Sequence, residues 1–243
     1  MAYDYERDLK SKSTSIDIDL GLRAYMNKVY SFMAVGLALT GVIAHLTSTL
    51  AFNFTTNTYT SFGAAIYGSP LAFLIMLAPL GFIIALNMGI ARMKESTVQI
   101  LFWAFASVMG LSLSSIFIQY TGESGARVFF ISAGAFGALS LYGYTTKKDL
   151  TGWGSFLFIG LIGILIASIV NIFVASTALQ FGISVIGVLV FAGLTAYDTQ
   201  RIKAMYFDGS GQEGKKAIMG ALTLYLDFIN LFIMLIQLFG QRR

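Results

Sequence analysis

The chain has 243 residues, of which 56% are hydrophobic and 12% charged, with a formal net charge of +4 and a mean hydropathy of +0.75. Soluble domains carry about 25% charged residues to keep their surface wet, so a soluble globule, and with it a soluble enzyme, is excluded. The absence of cysteine rules out disulfide frameworks and thiol chemistry, and a single histidine, His45, rules out a His-rich metal centre.

Residues 1–23 are polar and mixed in charge. They carry no apolar stretch beside a cleavage motif, so no removable signal peptide is expected. They read as a cytoplasmic tail, irregular or lying on the surface. Residues 24–243 read as one all-α, polytopic membrane domain of seven transmembrane helices. The apolar segments run from Met26 to Leu46, Leu71 to Ile90, Val98 to Ile118, Val128 to Tyr144, Ser155 to Val174, Phe181 to Tyr197 and Ala217 to Phe239. Most approach the roughly 20 residues that cross a hydrocarbon core of about 30 Å. Pro70 suits the first turn of the second helix, and Pro79 should kink it. Ala133 and Gly137, Gly134 and Ala138, and Gly163 and Ala167 have the spacing that lets helix backbones approach in lipid. Asn87 and Asn171 are expected to hydrogen-bond between helices.

Basic residues set the orientation. Arg7, Lys10, Lys12, Arg23, Lys28, Arg92, Lys94, Lys147, Lys148, Arg201, Lys203, Lys215 and Lys216 fall on one side of the threaded chain, whereas Thr47 to Ser69 carries no charge. The N-terminus is therefore expected in the cytoplasm, with the chain in the inner or plasma membrane. Seven crossings then put Arg242 and Arg243 outside, against the rule. Because the basic residues flank apolar segments rather than forming a patch, nucleic acid is not an expected partner.

Two acids lie in or against apolar runs: Asp198, ending the sixth, and Asp227, deep in the seventh. A carboxylate at mid-helix costs about 2.5–3.5 kcal/mol to insert, so it needs a partner, a proton or a water-filled cavity. Thr223, Asp227, Asn230 and Gln237 share a helical face, a polar stripe expected to look into the bundle, and Thr195 and Asp198 share another. The sixth and seventh helices start from the same membrane face. Asp227 is about ten residues, roughly 15 Å, from that interface by the helix rise, and Asp198 about a turn. Their meeting is expected to need tilt or unwinding. If they meet, both cannot easily ionise, and the pair shares one proton over some pH range. Losing it would drive the helices apart. Read structurally instead, each acid is satisfied by a nearby Arg, Thr or Asn, and Arg92 is an ordinary positive-inside residue.

Tyr197-Asp198-Thr199-Gln200, followed by Leu222-Thr223-Leu224-Tyr225-Leu226-Asp227-Phe228-Ile229-Asn230-Leu231-Phe232, resembles the C-terminal signature of the Bax inhibitor-1 family in its bacterial branch. Lys147-Lys148-Asp149-Leu150 and the pattern from Ala106 to Leu113 are also similar. The resemblance implies a seven-helix fold with the last helix central. It also implies a pH-sensitive calcium leak in which Asp198 and Asp227 hydrogen-bond when closed, and Asp198 turns to Arg92 on opening. Calcium would be a transient passenger rather than a resident cofactor, and no metal ligands are assigned. Some members bind and restrain a membrane-anchored protease, so a non-transporting regulator of other membrane proteins is the alternative. An intramembrane aspartyl protease would also pair acids on helices six and seven. Those enzymes carry Gly-x-Gly before the second acid, where this chain has Leu224-Tyr225-Leu226. Catalysis is therefore not expected.

Overall fold

A computed structural model describes the backbone of residues 2–208 and 211–243, and the side chains of 20–207 and 211–243. The elements are α1 (Ala2–Ala51), a hairpin of β1 (Phe52–Asn53) and β2 (Thr58–Tyr59), α2 (Ser61–Tyr67), α3 (Leu71–Gly89), α4 (Glu95–Gln119), α5 (Gly122–Thr145), α6 (Thr151–Val174), α7 (Thr177–Met205) and α8 (Glu213–Phe239). Seven of these helices are long and apolar enough to cross a membrane, α1 from Leu20 to Ala51.

The last helix is central, as expected. Within its most apolar window 67% of α8 is buried, against 11% in each of α3 and α6. It packs on α1, α4, α5 and α7. The outer helices turn large apolar side chains outward, among them Phe73 and Leu74 of α3 and Ile159 and Phe173 of α6. Only an apolar surrounding makes such a surface stable.

The proposed irregular tail is corrected at its end. Leu22, Tyr25, Met26, Val29 and Met33 are all buried in the core, so α1 is already packed at Leu22. Their spacing of three and four residues is a helical stripe. Residues 2–19, expected to be irregular or surface-lying, have helical backbone as the first turns of α1, and their side chains lie outside those described.

The charge-free loop from Thr47 to Ser69 holds the short hairpin and α2, which periodicity did not reveal. Phe52 pairs with Tyr59 and Asn53 with Thr58. Asn53 Oδ1 accepts from the Thr55 and Thr56 N–H groups, and Asn57 adopts the left-handed backbone region that Asn tolerates. Pro70 caps α3, which continues as helix through Pro79.

Close helix approach occurs at glycines other than those expected. A Cβ at Gly143 of α5 would strike the Ala196 carbonyl of α7, and one at Gly110 of α4 would strike the Thr40 carbonyl of α1. Gly134, Gly137 and Gly163 face open space instead. Small-residue spacing records a narrow face, but not whether a helix lies against it. Asn87 is also corrected. Its amide donates to Ile83 O, one turn back in α3, from an exposed position on the outer side of the bundle, where its own helix supplies the acceptor. Asn171 does bridge helices, donating to Gln180 Oε1 at 3.1 Å.

Candidate functional site

Asp227 sits near the middle of α8, held there by buried Leu224, Tyr225, Phe228 and Leu231 on either side. Asp198 lies roughly two turns before the end of α7, deeper than the single turn expected. A 3-10 turn, Tyr206–Asp208, carries the chain further before it reverses into α8. Both acids stand in stretches of continuous helix. Of the two expected routes, tilt or unwinding, unwinding is not used.

The two carboxyl groups lie within hydrogen-bonding reach of each other. Asp198 is 7% exposed and Asp227 5%, so both are shut away from bulk solvent. Asp227 Oδ2 is buried and meets no N–H or O–H donor among the described residues. Two ionised carboxylates are acceptors only. The contact can therefore be a hydrogen bond only when one of them carries a proton. Arg201, one turn beyond Asp198, is near enough to act on its charge, but makes no ion pair with it among the described residues.

The supporting polar residues do not close on the acids. Thr223 donates to Met219 O at 3.1 Å, Asn230 to Leu226 O at 2.8 Å and Thr195 to Phe191 O at 2.8 Å, each within its own helix. This back-bonding satisfies a hydroxyl or amide in lipid without any partner helix. Gln237, the last member of the stripe, does cross between helices. Its Oε1 accepts from Gln180 at 2.7 Å and from Ser184 at 2.9 Å. Arg92 lies exposed in the turn after α3, and its guanidinium makes no hydrogen bond or ion pair among the described residues. The structure therefore joins Asp198 to Asp227 and leaves Arg92 apart.

Two neighbouring features lay beyond sequence reasoning. Tyr225, fully buried, bonds Thr40 at 2.6 Å, and Thr40 donates to Ala106 O at 2.8 Å. This knot ties α8 to α1 and α4 half a turn from Asp227. A second hydroxyl chain runs from Tyr30 to Ser140 at 2.7 Å and on to Thr199 at 3.0 Å, beside Asp198. Hydroxyls inside apolar runs carry no periodic signal, which is why neither was visible.

Two motifs quoted from the sequence meet in space. Gln200 accepts from Leu150 N and donates to Lys148 O, both at 2.8 Å, so the residue two after Asp198 clamps the α5–α6 turn. In that turn the Thr151 hydroxyl and N–H hold the exposed Asp149 carboxyl below its usual pKa.

Comparison with known proteins places this geometry in a family. The family model described as "Inhibitor of apoptosis-promoting Bax1" matches residues 22–243. A protein of Rickettsia prowazekii is 49% identical over 242 residues, covering 99% of both chains. A Caulobacter vibrioides protein is 43% identical over 242 residues, 98% of this chain and 97% of that one. The inner membrane protein YbhL of Escherichia coli K12 is 46% identical over 232 residues, 92% of this chain and 94% of its own. With the match running from the first packed turn of α1 to the last residue, this multi-pass membrane protein belongs to the Bax inhibitor-1 family.

Proposed function

We propose that the chain conducts a proton-regulated leak of calcium or a similar cation, with Asp198 and Asp227 as its sensor and gate. The observation that carries this reading is the buried Asp227 Oδ2, which has a second carboxyl for company and no donor. A shared proton makes that contact attractive, and its loss leaves two like charges in a medium that screens them poorly. α7 and α8 then part, and Asp198 turns toward Arg92. The N-terminus lies in the cytoplasm under this reading, since the basic ends of the helices gather on its side. The name of the Escherichia coli relative supports an inner-membrane location.

The test is calcium entry into liposomes holding the full chain, measured with an internal indicator from pH 5 to 9. Flux should rise with pH in the parent protein. Asp198→Asn and Asp227→Asn, which keep a hydrogen bond but cannot both ionise, should flatten the profile. Arg92→Gln should lower flux only on the alkaline side. Identical pH profiles in parent and both Asn variants would overturn the proposal, as would a parent that passes no cation at any pH.

A further inference from the structure

The charge-free segment between α1 and α3 lies at the membrane face opposite the N-terminus, since α1 crosses once before it. It is built onto the bundle rather than hung from it. Thr60 N and Oγ1 donate to Ala51 O and Leu50 O, the last carbonyls of α1, at 3.0 and 2.7 Å. Gly63 of α2 sits so close to the Ala51 carbonyl that a Cβ there would strike it. The Tyr67 hydroxyl meets that of Ser114, about 7.5 Å short of the end of α4 by the helix rise. α2 is therefore laid against the flank of the bundle, at the level where the spans end.

What this segment turns outward is apolar. Gly63 and Ile66 face the bundle, whereas Phe62, Ala64 and Ala65 of α2 are exposed. A helix bordered by water would put charged side chains on that side, and residues 47–69 have none. Beside it a row of rings runs from Phe54 to Phe52, Tyr59 and Tyr67, with centroids 5.2, 5.3 and 5.7 Å apart in turn. Tyr59 is 54% exposed and Phe62 45%. Leu71 and Phe73 then carry the exposed apolar surface onto α3. The hairpin tip differs. Asn53, Thr55, Thr56 and Asn57 are exposed and polar, and the Arg243 guanidinium stands over the Phe54 ring.

We infer that α2 and the base of the hairpin are sunk into the lipid interface of the leaflet opposite the N-terminus, with Tyr59 and Phe62 at the boundary between head groups and acyl chains and the polar tip in water. The occupant of this face is phospholipid, because the face continues the apolar flank of α3 that only an apolar surrounding stabilises. Its composition is also that of the boundary: rings and hydroxyls without charge. An aromatic body suits the edge of the hydrocarbon while a tyrosine hydroxyl stays among the head groups. The segment thus meets the membrane without crossing it, and it holds the end of α1 at the interface.

The chain has no cysteine, so a single introduced thiol carries one nitroxide label. Phe62→Cys, Thr56→Cys and, midway along the exposed flank of α3, Leu80→Cys are labelled in the full chain and reconstituted in phosphatidylcholine vesicles. Power-saturation electron paramagnetic resonance then compares collisions with oxygen, which concentrates in hydrocarbon, and with a water-soluble nickel chelate. The oxygen-to-nickel ratio at Phe62→Cys should be several-fold above that at Thr56→Cys and below that at Leu80→Cys. Ala65→Cys, on the same face of α2 and with no ring lost, should repeat the Phe62→Cys result. A ratio at both α2 sites equal to that at Thr56→Cys would overturn the inference, by standing the segment in water. So would α2 labels that neither reagent reaches, which would mark the face as covered by protein.

Discussion

The knot between Thr40 and Tyr225 gives a prediction whose size follows from which atom donates. Thr40 has one hydroxyl proton, and it goes to Ala106 O. The 2.6 Å contact with Tyr225 must then use the tyrosine proton, with Thr40 Oγ1 accepting. Tyr225→Phe removes only that donor. Its ring stays against Phe105 and Phe102, with centroids 5.4 and 6.3 Å away, and Thr40 keeps its own bond. The cost should be about 0.5–1 kcal/mol, the range of one hydrogen bond between membrane helices. Thr40→Val preserves shape but strands the Tyr225 hydroxyl in a fully buried site, which costs about 1–3 kcal/mol. The double variant removes both partners, so it should be no worse than Thr40→Val alone. Unfolding in mixed micelles by titrated dodecyl sulfate, followed by fluorescence, measures all three. If Tyr225→Phe proves as damaging as Thr40→Val, or if the two losses add, the donor assignment is wrong.

Other substitutions test the packing. Gly143→Ala drives a Cβ into the Ala196 carbonyl and should cost about 1–3 kcal/mol by overpacking, whereas Gly137→Ala should stay within about 0.5 kcal/mol; the same micelle titration separates them. Gln237→Leu takes away the acceptor of the Gln180 amide and should cost about 1–3 kcal/mol, with faster amide exchange near the start of α7 as the local sign.

Each membrane-crossing helix was legible because an apolar run long enough to span lipid has no soluble alternative. The Asp198–Asp227 pairing was legible as a possibility, since an acid in oil must find a partner, although the depths read from the sequence differed. Their actual depths were not legible, because the 3-10 turn after α7 carries no signal beyond ordinary polarity. The packed start of α1 was present in the spacing of Leu22, Tyr25, Met26, Val29 and Met33, but hidden by the charged residues before it. Gly134, Gly137 and Gly163 were misread because a narrow face looks the same in sequence whether it meets a helix or a gap. Thr223 and Asn230 share the face of Asp227, yet a short polar side chain in lipid turns first to its own backbone. Face-sharing therefore did not become contact.

The two ends of α8 decide which part of the bundle is fixed. Beyond α8, Gln241 O accepts from Thr121 N at 2.9 Å, Arg243 N donates to Gln119 O at 3.0 Å, and the Arg243 guanidinium lies 4.1 Å from the centre of the Phe54 ring. At its start Lys215 and Lys216 reach Ile90 O and Met205 O. A rod bolted at both ends behaves as a stator. Under the proposed gating, α7 would swing together with the α5–α6 turn that Gln200 grips, pivoting at its last residue, Met205, where Lys216 of α8 holds it.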